Sequence, residues 1–113
     1  MKRDMDLVRR ILIEIEEKDN EIQIEGYSPE QINYHIRLLL EAELIRATDV
    51  SSFDGEEYLI DGLTWQGHEF LDQARSETVW NKAKKFLSEK GVDLSLHALK
   101  TALAIVTKEL MSP

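Results

Sequence analysis

A capped amphipathic segment near the middle of the chain constrains the fold more than any other feature. The stretch "YSPEQINYHIRLLLEAELI" covers residues 27–45 and opens with Ser28, a favourable N-cap, followed by Pro29 at the first helical position. Gln31 stands where a capping box requires Gln or Glu. We therefore predict a helix over 29–43. Its helical spacing predicts a buried stripe formed by Ile32, Ile36, Leu39 and Leu40.

The flanking segments predict the rest of the N-terminal part. Residues 4–17 carry apolar side chains at helical spacing, and "EIQIE" at 21–25 alternates polar and apolar residues as a short strand does. After the capped helix, "IRATDV", the turn-like "SSFDG" and "EEYLI" predict a β-hairpin. This order is the layout of a winged helix-turn-helix, although only "EGYS" precedes Pro29. We expect the first helix of the turn to be reduced to a loop.

Three further amphipathic segments predict a helical C-terminal part. "LTWQGHEFLDQAR" begins with Thr64 as N-cap, and residues 77–90 and 95–110 repeat the helical pattern. The predicted fold class is mainly α with a small β-hairpin, winged helix-turn-helix-like with C-terminal helices. We expect a winged-helix-like domain over 1–75, with a helical extension over 76–113 packed on it as a single structural unit.

The charge distribution limits the partners that the chain can bind. Its 113 residues include fourteen Lys and Arg against twenty-two Asp and Glu, which gives a net charge of −8. Residues 49–72 hold seven of the acids and no Lys or Arg. Because affinity for nucleic acid comes mainly from neutralising phosphates, this balance disfavours DNA as a partner.

The sequence lacks the motifs that several kinds of catalytic and metal-binding chemistry require. Without cysteine, the chain has neither disulfides nor thiolate ligands or nucleophiles. The three histidines fall in separate predicted helices, and neither a Gly-x-Ser-x-Gly elbow nor a phosphate-binding glycine loop is present. No segment reaches the roughly 18 apolar residues of a membrane span. We expect a cytoplasmic protein that is not an enzyme and has no membrane segment, metal site or cofactor.

Short motifs give the chain a closer resemblance. It opens with "MKRDMDLVR" and carries "GYS", "YHI", "LTWQGHEFLD" and "VWNK". With this set it resembles an uncharacterised family of small bacterial and phage-borne proteins, and its capped helix followed by a hairpin looks like the winged-helix pattern of bacterial regulators. The resemblance implies a fold and a phage or prophage association, but no mechanism. Glu43 stands where those regulators usually have glycine, so the helix must end without a residue that adopts a positive φ at no cost.

The face of helix 29–43 opposite its buried stripe is the first candidate binding surface. Its amide, aromatic, basic and apolar side chains form the mixture that a DNA-reading helix uses, and they are Gln31, Asn33, Tyr34, Arg37 and Leu38. However, Glu30 and Glu41 on this face repel phosphate. Direct DNA readout and a protein-facing role both stay open, and the charges favour the protein-facing role.

Basic and acidic residues elsewhere bear on the same question. The candidate phosphate contacts, if DNA is bound, are Arg9, Arg10, Lys82, Lys84 and Lys85. The alternative is that they form the solvated side of amphipathic helices. Acids flank the predicted hairpin tip, where a DNA-bound wing would have Arg or Lys. Two hypotheses follow: a phage-derived regulatory or adaptor protein that binds DNA or a protein through helix 29–43, or an acidic interaction module, such as a DNA mimic or antirepressor, that binds no DNA.

The last predicted helix carries apolar residues on more than one side. Leu99 and Leu103 belong to a main seam, and small neighbours make it wider than packing on one layer requires. We predict a homodimer through residues 94–110, with interface residues Ala98, Ala102, Leu103, Ile105 and Val106. The alternative is that the two preceding helices cover both sides within one chain.

Overall fold

The computed structural model describes residues 1–17 and 21–111, and it confirms a mainly α fold with a small β-hairpin. Its elements are α1 (Met5–Glu16), α2 (Pro29–Glu41), β1 (Ile45–Asp49), β2 (Tyr58–Leu63), α3 (Trp65–Ala74), α4 (Glu77–Glu89) and α5 (Leu96–Met111). Residues 1–68 form one compact unit and residues 69–113 form another, with the division inside α3. The predicted domain boundary after residue 75, and the packing of the two parts as a single structural unit, stay predictions.

In the first unit, α1 is held at its start by Asp4 and packs against α2 and β2. The Asp4 carboxylate accepts a hydrogen bond from the Leu7 N–H at 3.1 Å, which satisfies one of the free amides of the first turn. Leu7, Ile11 and Leu12 are fully buried. This helix therefore supplies much of the apolar core on which α2 and the hairpin rest.

Helix α2 begins with the predicted capping box. The Ser28 hydroxyl accepts from the Gln31 N–H at 3.1 Å, and the Gln31 side chain accepts from the Ser28 N–H at 2.8 Å. Ile32, Ile36 and Leu39 are buried as predicted. Leu40, which we placed in the same stripe, is only half-buried.

The end of α2 is made without glycine. Glu43 takes the left-handed conformation, with φ of 59°. The Glu43 N–H donates to the Leu40 carbonyl and the Leu44 N–H to the Leu39 carbonyl, each at 3.0 Å, which is the hydrogen-bond pattern of a Schellman motif. The helix thus turns sharply into β1 although a side chain occupies the position that glycine favours.

The hairpin returns to this helix end and leads into α3. The Thr64 hydroxyl donates to the Glu43 carbonyl at 2.6 Å and accepts from the Gly67 N–H at 3.0 Å, so Thr64 caps α3 as predicted. Gly67 lies so close to the turn that a Cβ there would stand 1.9 Å from the Leu44 carbonyl oxygen. The junction of α2, β2 and α3 therefore requires a glycine at position 67.

The strand predicted at 21–25 does not form. Within the described residues the sheet has two antiparallel strands, β1 and β2, paired from Ile45 with Leu63 to Asp49 with Tyr58 and interrupted by a bulge after Arg46. The alternation of "EIQIE" is seen only in the exposure of its side chains: Ile24 is buried and its two neighbours are exposed. A tight turn, in which the Tyr27 N–H donates to the Ile24 carbonyl, then leads the chain directly into the α2 cap.

The second unit is built around the packing of α4 on α5. Ser76 caps α4 by accepting from the Val79 N–H at 3.2 Å. Phe70 and Trp80 are both buried and meet edge to face, with ring centroids 6.3 Å apart. None of the described helices combines the length and apolar character that crossing a bilayer requires.

Candidate functional site

The hairpin loop lies against the exposed side of α2 through Glu56. Its carboxylate stands 3.6 Å from the Nε atom of Arg37 and also accepts a hydrogen bond from the Tyr58 hydroxyl. Its backbone carbonyl accepts from the Asn33 side-chain amide at 2.8 Å. A single residue of the loop therefore engages two of the five side chains that we proposed for binding.

Arg37 is held from a second side by an aromatic ring. Its guanidinium carbon lies 5.2 Å from the centroid of the Tyr34 ring, within the range of a cation–π interaction. The Arg37 side chain is nevertheless 50% exposed and that of Glu56 32% exposed, so their ion pair is screened and contributes less than about 1 kcal/mol. The pair orients Arg37 more than it stabilises the fold.

The structure brings together three of the five predicted binding residues, namely Asn33, Tyr34 and Arg37. They line a shallow pocket of about 410 Å³ with the loop residues Asp54, Gly55 and Glu56. Gln31 does not line this pocket, and its side-chain oxygen instead completes the capping box. Leu38 is half-buried and does not line this pocket.

Sequence reasoning did not identify the role of Glu56. It counted the residue only as one of several acids near the hairpin tip. The partner of a loop carboxylate depends on how the loop folds back on the helix, and no local pattern encodes that. The acids on α2 and in the loop offered no way to single out Glu56.

The hairpin is rich in acidic residues. Hydrogen bonds from the Ser51 hydroxyl and backbone amide hold the pKa of Asp49 below its ordinary value. Burial, followed by the hydrogen bond to Glu56 and the negative charges of Glu56 and Asp49, raises the pKa of Tyr58 to about 12. Residues 1–68 as a whole carry sixteen Asp and Glu against seven Lys and Arg, a net charge of −9.

Apolar side chains protrude from this acidic hairpin. Phe53 stands at its tip, within a turn closed by reciprocal backbone hydrogen bonds between Ser52 and Gly55, and is fully exposed. Val50, just after β1, is 38% exposed, and Leu59 on β2 is 59% exposed. The hairpin thus combines three exposed large apolar residues with several carboxylates, a composition suited to contact with another molecule.

The candidate phosphate contacts fall into two sets, one in each unit. Arg9 is half-buried and Arg10 exposed on α1, while the lysines lie on α4. Lys82 and Lys85 are exposed and Lys84 is half-buried, and Lys85 lies 4.0 Å from Glu89 one helical turn away. These positions agree with the solvated side of amphipathic helices, and the phosphate role stays a prediction.

The predicted dimer residues do not form a continuous exposed surface. Ala102 and Leu103 are fully buried and Val106 is 5% exposed within the single chain, because α5 already packs on α4. Ala98 is half-buried, and Ile105 is 36% exposed. The packing of α5 on α4 accounts for these buried positions, and coverage of both sides by the two preceding helices stays a prediction. The homodimer stays a prediction that would rest on Ala98 and Ile105.

His35 is a buried structural residue. Its Nδ1 atom lies 2.7 Å from the Gln31 carbonyl, and its Nε2 atom lies 2.8 Å from the backbone nitrogen of Asp4. Because the carbonyl only accepts and the amide only donates, the ring is neutral with its proton on Nδ1. The Asp4 carboxylate also accepts from the Tyr27 hydroxyl at 3.0 Å, so this cluster joins α1, α2 and the segment before α2. The part of the chain that the structure describes holds no group of three potential metal ligands.

The geometry defines a mainly α protein whose candidate site is a contact surface on a helix and an acidic hairpin. The chain belongs to the family described as "Hypothetical protein (DUF2513)", whose model matches residues 2–93. It is 37% identical over 118 residues to an "Uncharacterized protein" of Haemophilus influenzae, in an alignment covering 99% of this chain and 100% of that protein. No solved structure matches the chain. The resemblance to an uncharacterised family is thereby confirmed.

Proposed function

We propose that this chain is a non-enzymatic regulatory or adaptor protein, winged-helix-like and of phage or prophage origin, that acts by docking onto a basic protein surface. The contact is made by the acidic hairpin and the adjoining face of α2. In this role it is an acidic interaction module, and DNA is not its direct ligand.

One observation carries the proposal, namely the engagement of Asn33 and Arg37 by Glu56. An Arg that reads guanine and an Asn that reads adenine need free donors directed into the major groove. Here the Asn33 amide donates to the Glu56 carbonyl and Arg37 faces the Glu56 carboxylate. Carboxylates at the hairpin tip would meet DNA phosphates with repulsion, whereas they complement Lys and Arg on a protein.

Phe53 supplies the apolar part of the proposed contact. An aromatic side chain that enters a pocket of the partner gives affinity, while the surrounding charges give orientation and a fast encounter. Phe53 is fully exposed, and Asp54 beside it is exposed as well. We therefore expect the partner to present an apolar pocket rimmed by basic residues.

Photo-crosslinking in the native host tests the proposal. A crosslinking amino acid replaces Phe53, and the matched control places the same group at Thr78, an exposed position on α4. We expect one basic protein to crosslink from position 53 and not from position 78, and the adduct to disappear when Asp54 is changed to Lys. Equal adducts from both positions, or adducts that survive the charge reversal, would contradict the proposal.

The order of elements from α1 to β2 supports a second candidate, DNA readout by α2. Tyr34 is half-buried, Arg37 is half-exposed, and the helix presents both beside a hairpin, as a winged helix does. This function requires Glu56 to move away from Arg37, because its carboxylate already pairs with the guanidinium that a base or phosphate would contact.

Polarisation measurements with labelled DNA from upstream of the protein's own gene separate the two candidates. Glu56→Gln removes the charge facing Arg37, and Glu57→Gln makes the same charge change at an exposed neighbour. DNA readout predicts selective, steeply salt-dependent binding that Glu56→Gln strengthens more than Glu57→Gln. The absence of selective binding at low salt by all three proteins would remove this candidate.

A further inference from the structure

A groove of about 790 Å³ lies in the first unit between the segment preceding α2 and strand β2. Residues 21–27 form one wall, the start of β2 forms the other, and the first turns of α2 form the floor. Its apolar lining comes mainly from isoleucines of these three parts, namely Ile22, Ile24, Ile32, Ile36 and Ile60. The volume falls within the range of sites that hold a small molecule or a short peptide.

Both walls of the groove present backbone that no strand covers. Within the described residues β2 pairs with β1 alone, so its other edge has no partner strand. Segment 21–25 has strand-like alternation but pairs with neither strand. An unpaired edge is a template for adding an extended chain through main-chain hydrogen bonds. Residues 22–24 lie between a bend at Glu21 and a turn at Glu25, and at about 3.3 Å per residue they offer about 10 Å of edge, while the six residues of β2 offer about 20 Å.

The charge of the groove selects the kind of chain that would fit. Glu21, Glu25 and Glu57 line it and are exposed, and among the described residues that line it there is no Lys, Arg or His. Ile22 and Ile60 are half-buried and present apolar surface between these carboxylates. An added strand with basic side chains on one face and apolar side chains on the other matches both features, since strand side chains alternate in direction.

We propose that this groove binds an extended peptide segment of a protein partner, four or five residues long and alternating basic and apolar, as an additional strand between residues 21–25 and β2. The inference goes beyond docking through the hairpin tip, because the groove adds main-chain pairing and the carboxylates of Glu21 and Glu25, which lie outside the hairpin. Phe53 does not line the groove.

Fluorescence polarisation with a labelled hexapeptide of alternating lysine and valine tests the proposal. We expect saturable binding that falls at least tenfold in the double variant Glu21→Lys, Glu25→Lys. The matched control is Glu41→Lys, Glu109→Lys, which makes the same charge change at exposed residues outside the groove and should bind as the unaltered protein does. Equal weakening by both double variants would reduce the effect to net charge and overturn the site.

A second peptide separates strand addition from simple charge attraction. N-methylation of alternate amides keeps the peptide charge but removes main-chain donors, so we expect a loss of at least tenfold in affinity. Hydrogen exchange should slow at the amides of 22–25 and of β2 when the unmodified peptide is added. Unchanged affinity after methylation would overturn the proposal, and so would protection of these amides in the free protein, which would mean that segment 21–25 itself closes on β2.

The hairpin-tip contact and the groove can fail separately. With the crosslinking amino acid moved to the exposed neighbour Ser52, Phe53→Ser should abolish crosslinking to a partner through the tip while leaving hexapeptide binding unchanged. Loss of hexapeptide binding in Phe53→Ser would place the peptide at the tip and overturn the groove site.

Discussion

Arg37 on α2 and Glu56 in the hairpin loop face each other with 3.6 Å between Nε and Oε2, and this pair joins the proposed binding helix to the hairpin. Tyr34 lies beneath the guanidinium and Tyr58 donates to the same carboxylate. The polar face of α2 is therefore part of the protein's own tertiary structure. Any ligand that recruits Arg37 must compete with Glu56.

The raised pKa of Tyr58 predicts a loss of stability in alkali. Burial first, and then Glu56, raise this pKa from 10.0 to about 12, so the folded state favours the neutral phenol more than the unfolded state does. The resulting stabilisation is fully present below pH 10 and is lost as pH rises through about 12. Denaturant titrations across this range should show a falling free energy of unfolding.

Two variants test whether Tyr58 causes this fall in the free energy of unfolding at alkaline pH. Tyr58→Phe should unfold with a shallower dependence on alkaline pH than the unaltered protein. Glu56→Gln should lower the phenol pKa while leaving it above 10.0, because burial is the largest cause and persists. If Tyr58→Phe keeps the full slope, another group causes the alkaline loss.

Gly67→Ala should be among the most destabilising single changes in the chain. The new Cβ would stand 1.9 Å from the Leu44 carbonyl oxygen, so the backbone of the α2–β1 turn would have to move. We expect a loss of about 3 kcal/mol or more in urea denaturation, or failure to fold. Gly91→Ala is the control, since position 91 has open space and its φ of 67° should cost only about 1 kcal/mol. Gly67 itself does not have a positive φ, so a loss there no larger than at position 91 would show that the backbone relieves the clash cheaply.

Glu43→Gly should stabilise the protein. Glu43 has φ of 59°, a conformation that costs a side-chain-bearing residue about 1 kcal/mol and glycine almost nothing. The bond from Thr64 goes to the backbone carbonyl and is kept. We expect a gain of up to about 1 kcal/mol in the free energy of unfolding, reduced by the greater freedom of glycine in the unfolded chain. A loss would mean that the Glu43 side chain contributes more than its strain costs.

His35→Phe should be strongly destabilising although the ring size is similar. The change leaves the Gln31 carbonyl and the Asp4 N–H, both in part-buried hydrogen bonds, without the buried His35 ring as partner. An unsatisfied buried polar group costs about 1–3 kcal/mol, so the expected loss is at least about 2 kcal/mol in urea denaturation. Tyr27→Phe removes one bond to Asp4 at a partly exposed site and should cost about 1 kcal/mol or less. A smaller loss for His35→Phe than for Tyr27→Phe would contradict the buried role of the imidazole.

Local sequence chemistry determined the helices and their ends. Ser28 with Gln31 caps α2 and Thr64 caps α3, because a side-chain oxygen and a nearby backbone amide meet within one turn, whatever the rest of the fold does. The hairpin also follows from short-range signals, a turn-like segment between two strand-like ones. These interactions join residues a few positions apart, so the sequence alone predicts them.

Tertiary structure decided the pairing of strands and the partners of the surface residues. Segment 21–25 has the alternation of a strand, yet its pairing depends on where β2 lies and not on its own residues. Ala102 and Leu103 are buried because α5 packs on α4, although their spacing is equally suited to an interface between copies. Likewise, only the return of the loop onto α2 places Glu56 against Arg37. Each of these contacts joins parts of the chain that are distant in sequence. Periodicity and local propensity describe neighbouring residues, so they do not predict which distant segments come together.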